Sequence, residues 1–531
     1  MTTFGHVESF ARRALLRFEG ALNKIFGNDL NPFYHLGALG FYFFWVVTVS
    51  GAYLYAFYDT GVEDAFISVE YITREQWYLG GIMRSLHRYA SDALVVVLLL
   101  HLLREFILGR YRGARWFAWF TGVPLIWLLL AAGINGYWMV WDKLAQYSAV
   151  TIIEWFDWLP IFSSPMAGYF NSTDTLDNRF FTLMSFFHVT VPLFILFLFW
   201  VHIMRISYPV VNPKRRLALG MLLAMLVLSL VSPALSQGPA DLGIEPGSVG
   251  IDWFYLFISP LLDKWSAGQV WVLVIGVTLL LGILPWLPTR FRQIPVAEVS
   301  LKDCSGCRRC VDDCPYEAVV MRPRSDGLHF AEEAVVIPDR CVSCGICAGS
   351  CPSSTPFRSE ADYVSGIEMP SLPMVGLRAA MTADLAKLQG DTRVMVFGCD
   401  NAADIGKLRS AGVAVMSLPC TAMLPPSFIE YALREHQIEG VFITGCREND
   451  CYHRMGGLWT EQRLVAQREP RLRSRAEPGR IRQYWASSAD FSELASELES
   501  FRASLRSLVT DPQKLPVVEP QALTNDLDVV F

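Results

Sequence analysis

Four histidines and twelve cysteines carry the chemistry legible in this chain. His87 and His101 are 14 residues apart, and so are His188 and His202. Fourteen residues make nearly four helical turns, so each pair puts two imidazoles on one helix face, about 21 Å apart. Two such helices facing one another make two bis-histidine sites, one towards each end. Haem iron takes two axial histidines, and the apolar interior of a helix bundle suits a macrocycle. Isolated polar residues bonded to nearby backbone would account for one such histidine, but not for four at matched spacing. Gly37 and Gly51 are also 14 apart, as are Gly122 and Gly136. A missing side chain lets a helix backbone approach a flat ring closely.

None of the 12 cysteines precedes Cys304. Clustered cysteines in a large chain point to metal ligands in a reducing compartment rather than to a disulfide scaffold. Eight form two runs, Cys304-x2-Cys307-x2-Cys310-x3-Cys314-Pro315 and Cys341-x2-Cys344-x2-Cys347-x3-Cys351-Pro352. The runs resemble the bacterial double [4Fe–4S] ferredoxin, in which three close thiolates hold one cubane and the fourth serves the other. That pattern assigns Cys304, Cys307, Cys310 and Cys351 to one cluster, and Cys341, Cys344, Cys347 and Cys314 to the second. Zinc sites use the same paired spacing, but a doubled run with a proline after each speaks against zinc.

The elements that position these groups divide sharply. Hydrophobic residues make up 52 % of 531 residues, and the mean hydropathy is +0.31. Apolar runs long enough to span a bilayer fall at 36–57, 80–108, 117–138, 183–206, 216–235 and 268–287. Basic residues mark one side: Arg12, Arg13, Arg17 and Lys24; Arg110, Arg112 and Arg115; Lys214, Arg215 and Arg216; Arg290 and Arg292. The alternate loops are acidic, with Asp59, Glu63, Asp64 and Glu70, then Glu154, Asp157, Asp174 and Asp177, then Asp241, Glu245 and Asp252. Six spans therefore leave both termini in the cytoplasm of a prokaryotic inner-membrane protein. Residues 1–30 lack the apolar core of a cleavable signal peptide. A net charge of −6 gives no reason to expect nucleic acid as a partner.

Beyond the spans, residues 288–300 form a short linker ending on the cytoplasmic side, which is expected to keep the ferredoxin segment near the inner membrane surface. From Thr392 the pattern alternates strands (394–397, 413–418, 441–444) with helical stretches near 403–410 and 427–436. This reads as a small α/β fold with a mostly parallel sheet. Cys399, Cys420 and Cys446 follow the strand ends, where such sheets bind ligands, and Cys451 lies in the next loop. Four cysteines at one edge suit a [2Fe–2S] cluster, with a clusterless docking domain holding buried thiols as the other reading. The segment Gly445-Cys446-Arg447-Glu448-Asn449-Asp450-Cys451-Tyr452-His453 resembles the delta subunit of methyl-viologen-reducing hydrogenases. That family carries a further cysteine where Ala402 stands here. The resemblance implies a soluble flavin/iron–sulfur partner of the heterodisulfide-reductase type. No dinucleotide-binding or Walker motif is present.

Residues 30–290 resemble cytochrome b of the quinol-oxidising bc and b6f complexes. The resemblance rests on Arg84-Ser85-Leu86-His87-Arg88, on Gly136-Tyr137-Trp138-Met139-Val140-Trp141, on Thr175-Leu176-Asp177-Asn178-Arg179-Phe180-Phe181, and on Phe187-His188 followed by Pro192. It implies that His87 pairs with His188 at an outer haem b and His101 with His202 at an inner one. It implies too that Arg84 and Arg104 hold haem propionates, with interfacial snorkelling as the other reading. The family's outer quinol pocket maps onto Ile251-Asp252-Trp253-Phe254 with Tyr137 nearby, although the family's proline and tyrosine are lost. Its Pro-Trp-Gly turn reads Val140-Trp141-Asp142. Asp252 is then either the group that takes the quinol's protons or an exposed loop acid. His35 is either part of an inner quinone pocket or a surface or capping histidine.

The expected fold is thus multi-domain: a six-helix transmembrane di-haem bundle over 1–292, a 2[4Fe–4S] α+β ferredoxin domain over 293–360, a small α/β [2Fe–2S] domain over 390–465, and a helical tail over 466–531 left as solvated or partner-docking surface. The expected function is a quinone-linked oxidoreductase subunit, with a homodimer implied by resemblance. The alternative is a membrane anchor and electron conduit with no quinone site. A transporter would need ionisable residues lining a path, and the histidines are spaced for haem instead.

Overall fold

The computed structural model describes residues 3–161, 164–170, 176–206, 208–287, 295–473 and 478–510. Asp174, Arg290, Arg292, residues 288–294 of the linker and the chain beyond 510 lie outside the described residues. Two compact units emerge, one of residues 22–290 and one of residues 1–21 with 291–531.

Helix α1 (Thr3–Phe26) opens the chain. In the first unit, helices stand at all six expected span positions: α2 (Leu36–Tyr55), α3 (Ile82–Ile107), α4 (Trp116–Val140), α6 (Asn178–Ile203), α7 (Arg215–Val231) and α8 (Ala267–Ile283). Segments 32–55, 116–140, 178–203 and 267–286 are long and apolar enough to cross a membrane. Helix α3 carries Arg84, Arg88, Asp92, Arg104 and Glu105 within its length, and α7 has 17 residues, roughly 26 Å. An added helix, α5 (Lys143–Asp157), follows a sharp reversal. Trp141 takes a left-handed φ of 51° to end α4, and the Asp142 carboxylate caps α5 by accepting from the Ala145 N–H at 2.9 Å. Helix α2 packs along α3, and α4 along α6. Leu39, Phe43, Leu94, Leu129 and Ile195 belong to the core between these helices.

In the second unit, β1 (Glu298–Val299) pairs antiparallel with β4 (Ile367–Glu368), and β2 (Val319–Pro323) with β3 (Glu332–Val336). The β1–β4 pair carries this region past the boundary expected at 360. The C-terminal sheet has four parallel strands in the order β6–β5–β7–β8: β5 (Val394–Cys399), β6 (Val413–Leu418), β7 (Gly440–Gly445) and β8 (Ile481–Trp485). Every residue of β5 and β7 is buried, so both read as unbroken apolar runs. Helices α9 (Ile346–Ser350), α10 (Met374–Leu385), α11 (Pro426–Arg434), α12 (Gly456–Leu464) and α13 (Phe491–Thr510) complete this unit.

Three expectations need correction. The stretch 403–410 holds only a 3-10 turn, Ile405–Leu408, which the Asp404 carboxylate caps by accepting from the Gly406 N–H at 3.1 Å and which ends where Arg409 returns to extended backbone. The described residues 478–510 are no surface tail: β8 extends the sheet, and Leu494, Leu498, Phe501 and Leu505 of α13 are buried in its core beside Phe442. The domain expected to end at 465 therefore runs to the end of α13. Finally, residues 1–21 group with the second unit and not with the membrane unit. Arg447 makes that attachment. It donates to the Leu16 carbonyl at 2.8 Å, meets Asp490 at 2.6 Å and lies 4.0 Å from Glu19.

Candidate functional site

Helix α3 carries His87 and His101, and α6 carries His188 and His202. The His87 and His188 ring centroids are 6.1 Å apart. Two metal–nitrogen bonds of about 2 Å each, plus about 1 Å from nitrogen to ring centre on each side, come to roughly 6 Å, so the gap suits one shared metal.

The surroundings select the tautomer. His87 Nδ1 is 3.0 Å from the Val47 carbonyl, and His188 Nδ1 is 3.0 Å from the Ala132 carbonyl. A carbonyl only accepts, so each Nδ1 carries the proton and each Nε2 keeps its lone pair for a metal. His202 Nδ1 lies 3.1 Å from Thr121 Oγ1, whose own proton goes back to the Phe117 carbonyl at 2.8 Å, leaving the hydroxyl free to accept. Ser50 Oγ stands 3.2 Å from His87 Nδ1.

Each of the four spaced glycines sits against one histidine. A Cβ on Gly51 would meet His87 Cε1 at 2.9 Å, and one on Gly136 would meet His188 Cε1 at 2.7 Å. Gly122 faces His202 at 3.3 Å and Gly37 faces His101 at 3.7 Å. The glycines thus make room for imidazoles, a role the flat-ring argument does not contain. Val47 and Ala132 are each four residues before a glycine of this set, and Ser50 and Thr121 each immediately precede one. Sequence reasoning missed these partners, and the hydroxyl–glycine dipeptides at 50–51 and 121–122 were the available signal. The residues fit haem b.

Arg84 donates to Thr73 Oγ1 and to Ser236 Oγ, and lies 3.6 Å from Glu70. Arg104 is buried, with Glu105 at 3.7 Å and the Tyr34 ring 5.6 Å from its guanidinium carbon. Each guanidinium has five donors.

Asp252 is 4 % exposed, which removes the reading as an exposed loop acid. Its Oδ2 takes the Tyr137 hydroxyl and an Arg88 amine, while Oδ1 takes the Phe254 and Tyr255 N–H groups at 2.7 and 2.9 Å. Arg88 also reaches Asp92 at 3.1 Å and lies over the Tyr137 ring. Four donors fill the carboxylate's acceptor sites. Trp253, its neighbour in sequence, is 68 % exposed. Tyr137 and Asp252 are thus in direct contact, while Trp253 is exposed. A cleft lined by Tyr147, Glu154, Trp155 and Asp263 among others does not include Asp252 or Trp253. His35 is buried, and its Nε2 meets the Asp29 carbonyl at 2.9 Å, which makes it a link between loop and helix instead of a surface residue.

In the second unit the eight ferredoxin-type cysteines line two cavities. Cys304, Cys307, Cys310 and Cys351 border one, and Cys314, Cys341, Cys344 and Cys347 border the other. The fourth cysteine of each run thus crosses to the other run's cavity. Burial, with the sulfurs of Cys351, Cys307 and Cys304 adding to it, pushes the Cys310 thiol up to about 12. A bound cation such as iron would favour the thiolate form there. Among the described residues no three of these side chains converge closely enough for one metal ion.

Cys399 ends β5, and Cys446 follows β7. Their sulfurs are 4.0 Å apart. Backbone N–H groups of Asn401 and Tyr452 point at Cys399 and Cys446, both at 3.5 Å. A Cβ on Gly456 would stand 2.2 Å from Cys420 Sγ and 3.4 Å from Cys451 Sγ, so that glycine faces both remaining sulfurs. The parallel sheet gathers all four cysteines at its carboxyl edge, and the set fits a small iron–sulfur cluster.

Comparison with known proteins agrees with this division. The family model for cytochrome b/b6/petB matches residues 22–209, the 4Fe-4S dicluster domain matches 303–355, and the methyl-viologen-reducing hydrogenase delta subunit matches 391–509. A solved structure titled "Hyperthermophilic respiratory Complex III" resembles 48 % of this chain and 76 % of its own, at 20 % identity and a TM-score of 0.40. The chain joins segments similar to these three families in one polypeptide. It is a membrane electron-transfer protein, with a haem b segment followed by iron–sulfur segments.

Proposed function

We propose that this chain passes electrons between a soluble flavin/iron–sulfur partner of the heterodisulfide-reductase type and membrane quinone, as one subunit of a larger redox complex. The route uses the C-terminal four-cysteine site, the two ferredoxin-type sites, and two haem b sites held by His87 with His188 and His101 with His202. Haem and iron–sulfur centres supply one-electron transfer when bound. The protein's part is to hold the ligands in the deprotonated, oriented form that accepts the metal. Both termini and the iron–sulfur unit face the cytoplasm of a prokaryotic inner membrane, in keeping with the basic flanks of the spans.

The observation that carries this reading is the environment of the His87–His188 pair. Each Nδ1–H is committed to a carbonyl, which leaves Nε2 for a metal, across a gap sized for two metal–nitrogen bonds. The test is a potentiometric titration of purified full-length protein with optical and EPR detection. Two b-type haems and three distinct iron–sulfur signals are expected. Absence of porphyrin by pyridine haemochrome analysis discards the reading.

A second reading, an electron conduit without its own quinone chemistry, draws on the Asp252 environment. A carboxylate whose acceptor sites are filled takes a substrate proton only after releasing a donor. Quinol oxidation assays on the solubilised protein separate the two: turnover supports the first, and haems that reduce chemically but never with quinol support the second.

A further inference from the structure

Segments flanking all three cysteine sites meet at one buried guanidinium. Arg463, on α12, has a side chain 1 % exposed. Its Nη1 donates to the Ala422 carbonyl at 2.6 Å, two residues after Cys420. Its Nη2 donates to Asp313 Oδ2 at 2.5 Å and to Ser350 Oγ at 2.6 Å. Asp313 immediately precedes Cys314, and Ser350 immediately precedes Cys351. The Ser350 hydroxyl lies 2.6 Å from Asp313 Oδ2 and 2.8 Å from the Ile346 carbonyl, so it passes its proton onward while accepting from Arg463. Arg468 closes the group from the other side, its Nε 2.7 Å from Asp313 Oδ1 and its guanidinium over the Trp459 ring.

The backbone is drawn in tightly around this group. A Cβ on Gly349 would stand 2.2 Å from the Ala422 carbonyl oxygen, and one on Gly345 would stand 2.4 Å from Met423 Sδ. The segment after Cys420 is thus pressed onto α9, the helix that carries Cys347. Two guanidiniums against one carboxylate leave one net positive charge, with Arg463 and Asp313 buried and the Arg468 side chain 25 % exposed. Reduction adds negative charge to a thiolate-ligated cluster, and a fixed positive charge in low dielectric favours that form. Arginine suits the position because its rigid planar fork donates from two separate nitrogens, Nη1 to Ala422 and Nη2 to Asp313 and Ser350, whereas the three donors of lysine share one nitrogen at a single point.

We propose that Arg463 is a positioning residue that locks the three cysteine sites into one rigid electron-transfer unit and raises their reduction potentials. This rests on the iron–sulfur reading of the twelve cysteines. The test compares full-length wild type with Arg463→Met, Arg463→Lys and Ser350→Ala by iron and labile-sulfide content, EPR-monitored titration, and magnetic coupling between reduced centres. In Arg463→Met at least one centre is expected to become tenfold harder to reduce, about 59 mV for one electron, with weakened coupling. Arg463→Lys restores the potential but not the coupling, and Ser350→Ala weakens coupling alone. Should Arg463→Met lose its iron, the other two variants decide: wild-type coupling in both overturns the proposal. Unaltered potentials and coupling in a fully loaded Arg463→Met overturn it as well. Wild type without iron–sulfur signals would instead sink the parent reading, so the two failures are distinguishable.

Discussion

The Cε1 atom of His188 lies 2.7 Å from where a Cβ on Gly136 would stand, closer than side-chain atoms pack. His101 leaves 3.7 Å at Gly37, which is ordinary contact. The four glycines share a spacing but not a tolerance.

Gly136→Ala is therefore expected to displace His188, at a cost of about 1–3 kcal/mol of overpacking, and to remove one of two b-type signals from the reduced-minus-oxidised spectrum. Gly37→Ala is expected to keep both. Equal haem content in the two variants would contradict this account of the glycines.

Cysteine pairing across the runs makes a second prediction. Cys351→Ser is expected to alter the same EPR signal as Cys304→Ser, and Cys314→Ser the same signal as Cys341→Ser, because these pairs border common cavities. If Cys351→Ser altered the Cys341 signal instead, the crossed assignment would fail.

At the C-terminal site, Gly456→Ala would place a methyl 2.2 Å from Cys420 Sγ. Loss of the third iron–sulfur signal is expected, with the two ferredoxin-type signals kept. The EPR spectrum of the dithionite-reduced variant reads this directly.

Asp252→Asn removes the charge that faces Arg88 while keeping an acceptor oxygen. A fully buried pair loses 3–5 kcal/mol when one partner goes. The Arg88 side chain is 36 % exposed, so solvent screening reduces the expected cost to about 2 kcal/mol. A lowered thermal midpoint for haem release is the expected readout, with the haem spectrum of the intact protein unchanged. An unchanged midpoint would show that the ion pair contributes nothing.

Phe501→Ala empties a site beside Phe442 under the C-terminal sheet. Large-to-small changes of this kind cost about 3–5 kcal/mol. Urea unfolding followed by loss of the C-terminal cluster signal is expected at lower denaturant. Midpoints equal to wild type would mean that α13 is dispensable.

Much of the chemistry was legible in the chain because it depends on spacing. A 14-residue interval on a helix fixes which imidazoles share a face, and thiolate runs with a trailing proline carry their own geometry. Strands β5, β6 and β7 were legible because buried parallel strands are continuous apolar runs. The later elements were harder to read: β8 is half-buried at the sheet edge, and α13 carries Glu493, Glu497, Glu499, Arg502 and Arg506 between its buried residues, so both resemble solvated tail.

The sequence by itself determined the ligand types, their grouping and the separation into an apolar and a polar part, because those follow from residue identity and local periodicity. Only the tertiary structure decided what surrounds each ligand. Asp252 sits next to Trp253 in the chain, yet one is enclosed by four donors and the other faces outward. Arg463 reads as one arginine among many until folding brings Asp313, Ser350 and Ala422 to it. Such relations depend on long-range packing, where burial and hydrogen-bond satisfaction outweigh anything local spacing can encode.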